Sequence, residues 1–394
     1  MTSKTLIVGG GIGGLAAALA CTRVGAPVAL YERGAEFSEV GAGIQLSPNV
    51  VKVLHGWGLQ DALAGVAAFP NQLQVRSALS GAVLATSRLG AVTLARYGSP
   101  YLAIHRADLQ ALLLAAVKDL GVPLHVNSTV ERFDQDATGV TLHTTDGRVA
   151  AGDALVGADG GWSEVRQQLL NDGTPSPTGH LAYRAMVPQS SLPERLRSQQ
   201  ITAWLGPRLH VVQYPVRGGE WLNVVAIVHG LTQGDPRHWD HSANAAELQR
   251  HMTQTCAPLQ DLIKAIDFWR LWPLSIRPPM RGAHEQARGR VALLGDAAHP
   301  MVPYLAQGAG MAIEDAAELA CVLAPTAASR TRDVPALLQQ YANRRWQRNA
   351  RVQARAIRNG RVFHATGPMR WGRDAAMALL GERLLDQPWL YRGV

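Results

Sequence analysis

The run Gly9-Gly10-Gly11-Ile12-Gly13-Gly14 constrains this chain more than any other stretch. Residues 5–9 read as a buried strand, residues 12–25 as an Ala-rich helix, and residues 28–32 as a second strand. Two parallel strands need such a crossover, so the N-terminus predicts the first βαβ unit of a doubly wound sheet. The G-x-G-x-x-G spacing, set by Gly9, Gly11 and Gly14, permits a tight turn. It brings backbone N–H groups close to a pyrophosphate, and the helix N-terminus adds its positive dipole. Glu32 ends the second strand 21 residues after Gly11, where a carboxylate accepts hydrogen bonds from a ribose, and Arg33 adjoins it. Alone, this turn is equally compatible with an NAD dehydrogenase.

Two later motifs narrow the choice. Gly157-Ala-Asp159-Gly160-Gly-Trp-Ser163 follows a strand at residues 154–158. Its Asp and Gly tie down a loop and its Ser can cap the next helix, so a capped turn and a functional turn are both open. Leu294-Gly295-Asp296-Ala297-Ala-His299-Pro300 follows the strand-like residues 290–294. A carboxylate just past a buried strand can bind a polyol hydroxyl, and Gly308, Ala309 and Gly310 at a helix start offer N–H groups to a partly negative oxygen.

The organisation between these motifs is uneven. Residues 107–120 read as a helix, and 124–126 and 140–144 as strands, with a Thr145-Asp-Gly turn. From 179 to 276 short strands alternate, and residues 210–216 and 221–228 form a hairpin about Arg217-Gly-Gly-Glu. The last third is helical. The expected architecture is α/β: a Rossmann-like domain over 1–175 and 285–350, an inserted mixed β-sheet substrate domain over 176–284, and C-terminal helices over 351–394.

Composition excludes several classes. Hydrophobic residues make up 47% of the 394 and charged residues 17%, which suits a packed core. The three cysteines, Cys21, Cys256 and Cys321, show no CxxC spacing, so neither a disulfide framework nor a metal site is expected and a reducing cytoplasm is. No continuous apolar run reaches 18 residues, so no membrane span is expected, and no targeting segment is expected before the first strand. The net charge of +8 concentrates in residues 343–361. A solvated helix face is the first reading, attraction of anionic substrates, nicotinamide phosphates or acidic lipid the second, and nucleic acid is not expected.

In this order and at these distances, the three motifs resemble those of the FAD-dependent aromatic hydroxylases typified by para-hydroxybenzoate hydroxylase. The resemblance runs from Thr5 to about Arg348. It implies that Gly9–Gly14, Glu32 and Arg33 hold the ADP half of FAD and Asp296 the ribityl chain. It also implies that Gly43, Asp159 and Gly308–Gly310 serve the cofactor, and that Arg106, in His105-Arg106-Ala-Asp-Leu109, lies along it. Gly41-Ala-Gly43-Ile-Gln45-Leu-Ser-Pro-Asn49 and Trp272-Pro-Leu274 place the chain near the salicylate, 3-hydroxybenzoate and 6-hydroxynicotinate hydroxylases. In enzymes of that group a His and a Tyr spaced by four act on the substrate, and they match His210 and Tyr214. On a strand that spacing keeps both on one face.

The pocket segment departs from the 3-hydroxybenzoate pattern. After His299 this chain reads Pro-Met-Val-Pro303-Tyr304, with Pro303 where a substrate-binding Gln stands in those enzymes. The hydroxynicotinate enzymes share the Pro but have His in place of Tyr304. Gln45, Pro303 and Tyr304 are expected to border the substrate. The resemblance implies that NADH or NADPH reduces FAD, that O2 then forms a C4a-hydroperoxide, and that this attacks an electron-rich ring. A base such as His210, with an ordinary pKa near 6.5, favours the phenolate. The expected reaction is 3-hydroxybenzoate to 2,5-dihydroxybenzoate in a cytoplasmic homodimer, with salicylate or 6-hydroxynicotinate as alternatives. A different class of reading is a flavin-binding scaffold docked to a partner or membrane.

Overall fold

The computed structural model describes residues 4–38, 41–230, 241–243, 245–325 and 333–393. The expectation about a leader falls on residues that include 1–3, which lie outside the described residues. The chain forms two compact units, each drawn from three segments.

The first unit takes residues 1–40, 107–176 and 276–356. Its six-stranded sheet runs in the order Ala287–Arg288, Val291–Leu293, Ala154–Gly157, Thr5–Val8, Val28–Tyr31, Leu124–His125. All neighbours pair in parallel except the edge pair Ala287–Arg288 with Val291–Leu293. The central strands are buried on both faces, as their unbroken apolar runs require. Helix Ile12–Arg23 packs against helix Gly308–Leu323. Small residues permit that approach: a Cβ on Gly13 would stand 2.9 Å from Leu294 and 3.4 Å from the Ala312 Cβ. The strands Val130–Gln135, Val140–Thr144 and Val149–Gly152 form a separate antiparallel sheet, with the expected hairpin turn after Thr144.

The second unit takes residues 41–106, 177–275 and 357–394. Its eight-stranded sheet runs His241–Ala243, Trp269–Ile276, Ser176–Pro188, Trp221–His229, Leu209–Val216, Ile201–Gly206, Gln72–Ser77, Val83–Arg88. One face carries Leu181, Tyr183, Val211 and Val224 and packs on Leu248, Leu259 and Leu262 of two helices. Strand alternation then puts His180, Arg184, His210, Tyr214, Asn223 and His229 on the opposite face. That face is covered in part by the C-terminal segment, where Phe363, Met377 and Leu385 pack against Val75, Ala85 and Leu205.

Two expectations are corrected here. Residues 41–106 do not stay with the nucleotide-binding domain, because Leu73–Ser77 pairs in parallel with Ile201–Leu205 and so completes the second sheet. The boundaries fall at 40/41, 106/107, 176/177, 275/276 and 356/357 instead of 175, 284 and 350. The basic stretch 343–361 is not simply a solvated face either. The Arg345 side chain is fully buried and pairs with Glu314 at 3.0 Å and Asp315 at 2.7 Å, and Arg348 pairs with Glu314 at 2.6 Å. Among the described residues no helix is long and apolar enough to cross a membrane.

Candidate active site

In the first unit the glycine turn is sterically obligatory. Gly9 has φ of +106°, and a Cβ there would stand 2.4 Å from the Ala158 carbonyl oxygen. A Cβ on Gly14 would stand 1.8 Å from the Gly9 oxygen. Gly11 caps helix Ile12–Arg23 without a side-chain acceptor, so its first N–H groups are available to an anion. The Glu32 carboxylate is fixed beside the turn by the N–H groups of Gly10 at 2.6 Å and Gly34 at 2.7 Å, with Arg33 exposed next to it. This cradle fits the ADP half of a dinucleotide.

Asp159 is spent on its own loop. It accepts the Ser163 hydroxyl at 2.6 Å and the Val165 N–H at 3.2 Å, and Ser163 caps the helix by accepting the Arg166 N–H at 2.9 Å. Burial nonetheless raises its pKa. Arg166 donates onward to the Ala297 and Ala298 carbonyls, which ties this turn to the Asp296 turn. Asp296 is the exposed member of an otherwise buried run, 295–298, as a carboxylate awaiting a polyol must be.

The anchor of that turn is Asp315. It accepts the Gly295 N–H at 3.2 Å, meets His299 Nε2 at 2.5 Å, and accepts from Arg345 at 2.7 Å and Asn349 at 3.0 Å. Burial alone would raise its pKa, but the charges of His299 and Arg345 prevail and hold it well below the usual carboxylate range. His299 is therefore a structural histidine. Gly308, Ala309 and Gly310 open a helix whose cap, Gln307, makes no side-chain capping bond. Val302 and Tyr304 are buried in the preceding turn, with Pro303 half-buried between them.

In the second unit, strand Gly43–Leu46 is held against the sheet face. Gly43 donates its N–H to Asn223 Oδ1 at 2.7 Å and accepts the Tyr214 hydroxyl at 2.7 Å. A Cβ on Gly43 would stand 2.7 Å from Tyr214 and 2.8 Å from Asn223, so its role is spatial. Burial raises the Tyr214 pKa well above its ordinary value, keeping the hydroxyl a donor. Tyr101 donates to Gln45 Oε1 at 2.7 Å. Arg106 starts its helix with its N–H bonded to the Ala42 carbonyl at 2.9 Å.

Arg184 shares this face. It stands two strands over from Tyr214 and two residues along in register, with its guanidinium 4.9 Å over the Trp272 ring. No carboxylate among the described residues pairs with it, and its buried Nε has no hydrogen-bond partner. Burial lowers its pKa, the nearby Tyr214 opposes that, and Arg106 adds repulsion. A desolvated cation without a counter-ion is costly unless a ligand supplies the anion. The sequence carries a signal for it, one Arg inside the strand-like Leu181-Ala-Tyr-Arg-Ala-Met186.

His210 sits on the same face but in different company. Its Nδ1 lies 2.6 Å from His364 Nε2, and its ring meets Phe363 edge-on. Burial lowers its pKa to about 3, with His180 adding to the effect, so the imidazole is neutral and its ordinary value near 6.5 does not apply. His210 and Tyr214 stand four residues apart, about 13 Å along the strand, and the hydrogen bonds join each to a different set.

The family model described as "FAD binding domain" matches residues 2–356. The chain is 37% identical over 390 residues to 3-hydroxybenzoate 6-hydroxylase of Polaromonas naphthalenivorans, covering 98% of this chain and 95% of that one. It is 36% identical to 6-hydroxynicotinate 3-monooxygenase of Bordetella bronchiseptica, over 89% of each. In structure it is similar to HpxO of Klebsiella pneumoniae, solved with FAD and uric acid, with a TM-score of 0.84, 28% identity, and coverage of 97% and 94%. With the cradle, the exposed Asp296 and these likenesses in agreement, the chain belongs to the FAD-binding-domain family as an FAD-dependent aromatic monooxygenase.

Proposed function

We propose that this enzyme hydroxylates 3-hydroxybenzoate to 2,5-dihydroxybenzoate, consuming O2 and NADH or NADPH. The observation that carries the reading is the half-buried Arg184, stacked on Trp272 and faced by no carboxylate among the described residues, on the face that also holds Tyr214. Such a site suits a flat ring bearing a carboxylate. Gly9, Gly11, Gly14, Glu32 and Arg33 would hold the ADP half of FAD, Asp296 the ribityl chain, and Gly308, Ala309 and Gly310 the flavin ring oxygen. Reduced FAD supplies the activated oxygen when bound. Arg184 binds the substrate carboxylate, the Tyr214 oxygen, whose proton goes to the Gly43 carbonyl, accepts from the ring's hydroxyl, and the neutral His210 accepts the phenolic proton. The apolar Val302 and Tyr304 keep water from the flavin.

The test is a panel of aromatic acids offered to the FAD-loaded enzyme with each nicotinamide nucleotide. The expected result is that 3-hydroxybenzoate accelerates nucleotide oxidation most and yields 2,5-dihydroxybenzoate. No stimulation by any acid contradicts the reading. Preference for 6-hydroxynicotinate favours a second one, for which Pro303 speaks.

A further inference from the structure

We infer that His180, His229 and His364 form a binding site for a divalent transition-metal ion, with three imidazole ligands and an open fourth position. One nitrogen from each of the three lies within 4.8 Å of the others. The distance from His229 Nε2 to His364 Nδ1 is 3.0 Å. Two nitrogens on one zinc ion at ~2.0–2.1 Å each stand roughly 3.3 Å apart in a tetrahedron, so the His229–His364 pair already has the spacing of two ligands and the third nitrogen lies within 4.8 Å of both. Imidazole ligands select zinc, copper or nickel over magnesium or calcium.

The backbone holds the three in place before any ion arrives. His180 and His229 are register partners on adjacent antiparallel strands, with ring centroids 4.5 Å apart. His364 follows the long helix Val334–Phe363, and its carbonyl accepts the Arg208 N–H at 3.1 Å, while the Arg208 carbonyl accepts the His229 N–H at 3.3 Å. The ligands thus meet on one short stretch of hydrogen-bonded backbone, although His180 and His364 are 184 positions apart (364 minus 180).

The surroundings complete the site. His210 Nδ1 meets His364 Nε2 at 2.6 Å; with an ion bound the proton lies on His364 Nε2 and the His364 Nδ1 lone pair faces His229, whereas without an ion the proton on His210 Nδ1 leaves His210 Nε2 as the acceptor that the proposed function uses. A second imidazole fixing the tautomer of a ligand is the usual outer-shell device at metal sites. His229 is exposed and His364 buried, which gives an ion an entry path and a closed inner side. No carboxylate belongs to the set, and Arg208 and Arg373 act on it electrostatically. The fourth position therefore takes an anion, hydroxide or chloride. The cysteine spacing that argued against a metal in the sequence was silent on histidines assembled by two separate strands and a helix end.

Equilibrium dialysis of the FAD-loaded enzyme against Zn2+, with metal and protein measured together, tests this. The wild type should bind one equivalent more than His229→Ala and His180→Gln, each weakening that equivalent at least tenfold. Zn2+ should also raise the thermal midpoint of the wild type and of neither variant. His229 is exposed, so its removal leaves the fold intact, and retained FAD in both variants verifies that. Equal zinc uptake by the wild type and both folded variants, at any level, overturns the site.

Discussion

At the residue scale the account turns on side chains whose chemistry and surroundings conflict. Arg184 is the clearest, a half-buried guanidinium stacked on Trp272 with a buried Nε that has no hydrogen-bond partner. Arg184→Gln should lower kcat/KM for 3-hydroxybenzoate by about 100-fold, in line with ~2–3 kcal/mol for a charge-assisted bond. The same variant should leave 3-hydroxybenzamide turnover, slow as it is, nearly unchanged. Equal losses on both compounds would remove the carboxylate from Arg184. His210→Ala should cost ~10²-fold or more in kcat with FAD affinity retained, as measured by steady-state turnover and flavin titration. Gly43→Ala forces a Cβ into Tyr214 and Asn223. It should lower the thermal midpoint by the equivalent of ~1–3 kcal/mol and impair turnover, whereas Gly65→Ala, where a Cβ meets nothing, should do neither. Much of this level was legible in advance, because Gly9, Gly14, Glu32, Asp159 and Asp296 belong to short local motifs. Arg184 and Asn223 were not singled out, since their meaning comes from neighbours across the sheet.

At the element scale the tie between helix Gly308–Leu323 and the long helix holds the turn that carries Asp296. Arg345 neutralises two buried carboxylates. Arg345→Leu should destabilise the protein by ~3 kcal/mol, because Asp315 would lose its guanidinium partner while buried, with Glu314 still held by Arg348. Chemical denaturation measures it, and a change below ~1 kcal/mol would contradict the network. Asp315 has a pKa depressed by folding. Its stabilisation is thus present in full above the unfolded carboxylate value, ~3.9, and is lost as pH falls below that toward the folded value. Asp315→Asn should lower the midpoint at neutral pH and flatten its fall below pH ~4, a pattern that equal acid sensitivity in both proteins would refute. The strands and helices of the first unit were readable from periodicity. The parallel pairing of Leu73–Ser77 with Ile201–Leu205 was not, because no local pattern announces a partner 128 positions away (201 minus 73). The buried Arg345 was likewise hidden inside a run of exposed arginines.

At the scale of the whole molecule, the proposed function divides the work between the two units: FAD's ADP half on the glycine turn of one, the aromatic acid on the sheet face of the other. FAD that binds only the folded chain stabilises it by ~2.7 kcal/mol at a hundredfold excess over Kd. Added FAD should raise the thermal midpoint of the apoprotein and fail to do so for Gly14→Ala. The helix Gly367–Leu380 leaves Met369, Trp371 and Leu379 exposed at 65, 63 and 85%, which supports a proposed homodimer through that helix. Light scattering of the wild type and Trp371→Glu would show it as a dimer that becomes a monomer, and a monomeric wild type would end the idea. The central claim, that the chain inserts oxygen into an aromatic acid, is tested most directly by one turnover experiment under 18O2 with FAD-loaded enzyme, NADH or NADPH, and 3-hydroxybenzoate. The account predicts 2,5-dihydroxybenzoate carrying one 18O atom. Unlabelled product, or nucleotide oxidation that yields only hydrogen peroxide, would contradict it.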